Sequence, residues 1–241
     1  MMGKYCKYML FALLAWQVCL PASAQSMLCE HQFGYSSSNI NSGILAIESA
    51  GNNIMAVGYQ TNNNAIQNSL ISNIKSNCDT AWSKINQSTL GNGSSAIIKA
   101  LDGNYIVVGG EFLPNNKSKV SLLAFDTTGN KLWQKLHDFQ GLHSGVAIRQ
   151  LSDSSYFIVG SNTYEKPVFF VMRTDKAGNL LWKKNLTVIY NQTNPNWYVS
   201  VSGLLLTKDN NLLVFGDANT NVSSDAAFVY KLNPNGDSLH F

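Results

Sequence analysis

The stretch Gly103-Asn104-Tyr105-Ile106-Val107-Val108-Gly109 decides the fold. A two-residue turn signal leads into an apolar run of aromatic and β-branched residues, the types that fit a pleated surface, and a glycine closes it. The same pattern occurs as Asn52-Asn53-Ile54-Met55-Ala56-Val57-Gly58, as Ser154-Ser155-Tyr156-Phe157-Ile158-Val159-Gly160, and as Asn210-Asn211-Leu212-Leu213-Val214-Phe215-Gly216. The closing glycines are 51, 51 and 56 residues apart. A recurrence on that scale marks a repeat architecture, in which each unit buries its apolar faces against its neighbours.

A second marker follows each glycine by 22 to 24 residues: Trp82, Trp133 and Trp182, with His240 at the matching place in the last copy. A turn precedes it, as Asp126-Thr127-Thr128-Gly129-Asn130, Asp175-Lys176-Ala177-Gly178-Asn179 and Asn233-Pro234-Asn235-Gly236-Asp237. In the first copy Asn77-Cys78-Asp79 replaces the glycine turn. Apolar runs in the third copy predict four strands, 146–151, 156–161, 168–174 and 180–186, joined by turns whose Gly and Asn accept positive φ. Helical repeats would need apolar spacings of three and four, which these segments lack.

The reading is an all-β chain, a β-propeller or partial propeller of four roughly 50-residue, four-stranded antiparallel blades. The blades fall at about 43–90, 91–140, 141–190 and 191–241, the last ending as its fourth strand begins. On this reading Trp82, Trp133 and Trp182 are packing residues between blades, and Gly58, Gly109, Gly160 and Gly216 let strands approach closely near the channel.

Residues 1–24 read as a secretory signal peptide. Lys4 and Lys7 precede an apolar run from Tyr8 to Leu20, and Ala22-Ser23-Ala24 supplies a cleavage site before Gln25. The run is shorter than the roughly 20 residues that span a bilayer, so no membrane span is expected after leader removal. Without the leader, 15 basic residues face 14 acidic ones. That balance offers no basic patch for nucleic acid. Export leaves Cys29 and Cys78 in an oxidising compartment, as a possible disulfide or as two separate thiols.

Residues 25–42 include Cys29-Glu30-His31-Gln32-Phe33-Gly34, which has the pattern of a fourth-strand ending. One expectation is that it completes the last blade and closes a four-bladed ring; the other is that the sequence is the front part of a longer protein with more blades.

The repeat, ending in Phe125-Asp126-Thr127-Thr128-Gly129-Asn130-Lys131-Leu132-Trp133, resembles the propeller-like repeats of exported bacterial proteins that often carry a type IX secretion signal, over roughly Gly43 to Phe241. That resemblance implies a secreted or surface scaffold and no reaction; the C-terminal sorting domain usual in such proteins is not in this sequence. The stretch from Ala124 to Trp133 also looks like the tryptophan-docking motif of quinoprotein-like (PQQ-like) propellers, one residue short between Asp and Gly. It implies a similar way of locking blades and carries over no quinone or calcium site.

Motifs for particular chemistries are missing. There is no Gly-x-Ser-x-Gly elbow, phosphate-cradling loop or His-Glu-x-x-His pair. Gly91-Asn92-Gly93-Ser94-Ser95-Ala96 matches a degenerate dinucleotide fingerprint but leads into a strand, so it reads as a turn between blades. His31, His137, His143 and His240 have no ligand spacing and read as structural surface residues. The acidic residues fall in turns, leaving no local carboxylate pair.

The one irregular link, 190–198, brings Tyr190, Trp197 and Tyr198 as candidate ligand-binding residues for a sugar or peptide; the competing reading makes Trp197 and Tyr198 the buried start of a strand. The sequence therefore predicts a secreted or cell-surface binding or display scaffold without a cofactor, whose partner is a protein or a carbohydrate. The alternatives are a glycan-active enzyme with a site assembled from several blades, and a periplasmic quinoprotein-like assembly scaffold.

Overall fold

The computed structural model describes residues 41–162, 168–188, 197–220 and 224–239; the side chains of 162, 197, 198, 219, 220, 224 and 225 are outside that description. The described residues belong to one compact unit, 33–241. They form fifteen strands in four antiparallel sheets, each a simple meander in chain order.

The first sheet holds β1 (Ser42–Ala50), β2 (Asn53–Thr61), β3 (Gln67–Ile74) and β4 (Thr80–Asn86). The second holds β5 (Asn92–Lys99), β6 (Tyr105–Leu113), β7 (Lys117–Phe125) and β8 (Lys131–His137). The third holds β9 (His143–Gln150), β10 (Tyr156–Asn162), β11 (Val168–Thr174) and β12 (Leu180–Thr187). The fourth has three strands, β13 (Trp197–Leu206), β14 (Leu212–Thr220) and β15 (Ser224–Leu232). An isolated antiparallel bridge from Leu232 to Ser238 stands where the other sheets start their fourth strand.

One turn joins most of these strands. In the loop from Asp126 to Asn130, the N–H of Gly129 donates to the Asp126 carbonyl and the N–H of Asp126 to the Asn130 carbonyl. The same pair of bonds recurs at 62–66, 75–79, 100–104, 151–155, 175–179, 207–211 and 233–237. The fourth residue of each takes positive φ, and Gly129, Gly178 and Gly236, Asn210, Ser154 and Cys78 all occupy that position.

Each first strand carries a bulge, between Ile44 and Ala46, Ser94 and Ala96, Gly145 and Ala147, and Val201 and Gly203. Opposite it lies the repeat glycine. A Cβ on Gly109 would sit 1.9 Å from the Gly93 carbonyl oxygen, and Gly58, Gly160 and Gly216 face the carbonyls of Gly43, Ser144 and Ser200 in the same way. The close approach is thus made within a sheet, between its first and second strands, where no side chain fits.

The sheets pack face to face in series. β5 lies across β1, β2 and β3; β9 across β5, β6 and β7; β13 across β9, β10 and β11. The period of two in the second strand supplies both faces. Met55 and Val57 point toward the second sheet and meet its Tyr105, Val107, Leu123 and Phe125. Ile106 and Val108 meet Ile148, Tyr156 and Ile158 of the third, and Phe157 and Val159 meet Leu212 and Val214 of the fourth. This is a β-propeller-type array of blades, all-β and without a helix among the described residues.

Candidate functional site

The geometry repeated between blades is a lock on their outer side. A second bulge, between Asn73 and Ile74, Ala124 and Phe125, or Arg173 and Thr174 on the third strand, leaves Ala81, Leu132 or Leu181 as an extra residue immediately before each tryptophan. Bulges re-aim the side chains beside them. Here the ring reaches the glycine turn of the next blade: a Cβ on Gly129 would lie 2.7 Å from Trp82, one on Gly178 2.7 Å from Trp133, and one on Gly236 2.5 Å from Trp182. The positive φ of 76–80° and the pressing ring call for glycine at these three positions. Edge-on packing of Trp82 on Phe125 and of Phe157 on Trp182 extends the contact inward.

The aspartate that opens the turn holds it in shape. Asp126 Oδ1 accepts from the backbone N–H groups of Thr128 and Asn130, both at 2.9 Å, and Asn130 Nδ2 donates to Oδ2 at 3.0 Å. Asp175 repeats these bonds with Ala177 and Asn179, and Asn233 accepts from Asn235 and Asp237. Hydrogen bonds from Thr128 and Asn130 pull the Asp126 carboxyl down to about 2.

A lysine two residues after each tryptophan completes the lock. Lys84 Nζ donates to Asn130 Oδ1 at 3.3 Å, Lys184 pairs with Asp237 at 2.6 Å, and the Lys135 stem lies beside Gly178. Trp82-Ser83-Lys84, Trp133-Gln134-Lys135 and Trp182-Lys183-Lys184 are plain in the sequence. Their shared purpose depends on knowing that the fourth strand of one blade faces the turn of the next.

An open groove of about 300 Å³ lies along the seam of the first two blades. Ile71, Lys84, Ile85 and Asn86 form one wall, and Leu123, Phe125, Gly129, Asn130 and Lys131 the other. Lys131 Nζ donates to Asn86 Oδ1 at 3.5 Å, the mirror of the Lys84 bond. The groove therefore offers two ammonium groups, two amides and an apolar floor.

A smaller pocket of about 250 Å³ lies at the seam of the third and fourth blades, beside Asp153, Arg173 and Pro234. Arg173 pairs with Asp153 and donates to Ser155 Oγ at 2.9 Å and to the Pro234 carbonyl at 3.2 Å, which makes it a tie between blades.

Two histidines lie between the second and third blades. His137 stacks on Phe139, Phe139 meets His143 and Phe170, and Lys183 Nζ sits 4.6 Å above the Phe139 ring. Burial pushes the His137 imidazole below its usual range, against a hydrogen bond with the Gly178 backbone. His143, expected at the surface, is buried, with its backbone carbonyl accepting from Ser118 Oγ. It starts the inner strand β9, where the third blade packs onto the second, and single-residue polarity does not report that position.

Tyr190, Cys29, His31 and His240 lie outside the described residues, and so do the side chains of Trp197 and Tyr198, whose backbone opens β13. Cys78 is disulfide-bonded and holds the turn position that glycine occupies in the other blades. Glu111 accepts from Gln134 Nε2 at 3.1 Å and from Ser88 Oγ at 3.4 Å. Among the described residues, no group of three or more His, Cys, Asp and Glu could hold a metal ion.

No family model matches the chain, and no curated protein does either. Among solved structures it is similar to a protein of unknown function from Bacteroides caccae, at 14% identity and a TM-score of 0.45, over 71% of this chain and 53% of that one. It is also similar to a GH43 glycoside hydrolase engineered to display endo-xylanase and exo-arabinofuranosidase activity, at 10% identity and a TM-score of 0.49, over 82% of this chain and 39% of that one. The chain thus spans about half, and about two fifths, of the structures it matches.

Proposed function

We propose that this chain is a blade array of an exported, secreted or cell-surface propeller that serves as a non-enzymatic binding or display scaffold, with a protein or a carbohydrate as its partner. The leader-like residues 1–24 support export. The observation that carries the rest is the state of the carboxylates. Asp126, Asp138, Asp153, Asp175, Asp209 and Asp237 are all held below the usual carboxylate range, chiefly by hydrogen bonds inside turns or across seams.

A glycan-cleaving general acid needs the opposite environment, one that keeps a carboxyl protonated near neutral pH. These groups are committed to hydrogen bonds and ion pairs that shape turns and, at Asp237, tie two blades, whereas the groove between the first two blades offers ammonium, amide and apolar groups suited to recognition. The test pairs binding with turnover on the same panel of soluble glycans and peptides. Saturable binding of a panel member that is recovered unchanged supports the reading. Release of new reducing ends from a glycan contradicts it and favours the enzymatic alternative. Fractionation of the producing cells separates a secreted or surface destination from a periplasmic one.

A further inference from the structure

The seam between the first two blades differs in charge from the other two. At its lock Lys84 Nζ donates to the neutral Asn130 amide oxygen at 3.3 Å, where Lys184 at the third seam meets the Asp237 carboxylate at 2.6 Å. The residue after the turn is Lys131 here, and Leu180 and Ser238 at the other two seams. Lys131 Nζ reaches back across the seam to Asn86 Oδ1 at 3.5 Å. Among the described residues neither lysine forms an ion pair, and no carboxylate lines the groove that they share. The Asp126 carboxylate behind Asn130 is taken up by its own turn, where it accepts from Thr128 and Asn130. Both ammonium groups therefore spend their bonds on neutral oxygens at the long end of hydrogen-bond range, and a carboxylate is the stronger acceptor.

The apolar side of the groove narrows the ligand further. Ile71 and Leu123 form its floor, with Ile85, 44% exposed, on the rim. Phe125 also lines it but is only 1% exposed, so the groove opens no aromatic face on which a sugar ring could stack. We propose that the groove takes an acidic peptide segment, its carboxylates held by Lys84 and Lys131 and a neighbouring apolar side chain laid on Ile71, Ile85 and Leu123. This names the partner of the groove within the binding-scaffold reading and rests on that reading.

The test is the fluorescence anisotropy of a labelled, end-blocked Glu-Leu-Glu-Leu-Glu-Leu peptide titrated with the purified full chain, beside its Gln-for-Glu analogue and tetragalacturonate, an acidic sugar. The acidic peptide should bind saturably, less well at high salt, and about tenfold more tightly than either comparison ligand. Lys131→Gln, which leaves Lys84 of the lock in place, should weaken its binding about tenfold and leave the Gln analogue unaffected; Lys208→Gln, at an exposed lysine of the fourth blade, should change neither. No saturable binding of the acidic peptide, equal affinity for its Gln analogue, an unchanged affinity in Lys131→Gln, or a preference for tetragalacturonate overturns the proposal. Where another peptide or neutral glycan binds wild type and Lys131→Gln alike, the groove assignment falls and the scaffold reading stands. Release of new reducing ends from a glycan removes both.

Discussion

At the level of single residues, glycine is required for two different reasons, and two substitutions separate them. Gly103 has φ of +87° and nothing within 4 Å of an added Cβ, so Gly103→Ala meets backbone strain alone. A cost of about 1 kcal/mol is expected. Gly109 faces a carbonyl oxygen 1.9 Å from the same atom, and relief requires the bulged strand to move. Gly109→Ala should cost about 3 kcal/mol in denaturant unfolding, near the upper end for an overpacked site. Equal costs would show that the bulge yields easily.

Ionisation acts at the same scale. The turn aspartates have folded pKa values below the unfolded value, so their stabilisation is fully present above about pH 4 and is lost as pH falls through the folded values, about 2 for Asp126. Tyr156 works in the other sense. Burial, with Asp102 nearby, raises its hydroxyl to about 12, so the stability it contributes is present below the ordinary tyrosine pKa of about 10 and lost as pH rises through 12. Denaturant midpoints should therefore fall on acidification from about pH 4, and in Asp126→Asn the fall should be shallower. Burial raises Tyr105 and Tyr230 as well, so tyrosinate absorbance should show a late-titrating group that loses one member in Tyr156→Phe.

Among the elements, strands and turns were legible in the sequence because their signals are local. The third copy shows this: strands expected at 156–161, 168–174 and 180–186 lie at Tyr156–Asn162, Val168–Thr174 and Leu180–Thr187. Turn chemistry and the period of two require no knowledge of neighbours. The two bulges were not legible, since an extra residue shows only against a paired strand, and the strand expected from 146 begins at His143. The groove was hidden for a related reason: its walls, Ile71 and Phe125, are in different blades and meet through sheet packing. The lysine after each tryptophan stood in the open but had no reading until a turn was found facing it.

Across the whole molecule, blades that contact only their sequence neighbours should differ in stability by position. The second and third blades are packed on both faces, while on the outer face of the fourth Phe215 and Val229 are 42% and 57% exposed. Stability in such arrays is close to a sum of unit and seam contributions. Hydrogen exchange should thus be slowest in β6 and β10 and fastest in β15. Uniform protection across the four sheets would mean that the outer face of the fourth blade is covered in solution.

The account rests most on the seam lock, and a double-mutant cycle between Trp133 and Gly178 tests it directly. Trp133→Ala should cost about 2–3 kcal/mol in denaturant unfolding. Gly178→Ala should be costly in the wild-type background, where the new Cβ meets the ring at 2.7 Å, and should shrink to backbone strain of about 1 kcal/mol once the ring is gone. A clear coupling between the two changes is the predicted result. Simple additivity would mean that the tryptophan does not press on the turn of the next blade, and the seam as described would be wrong.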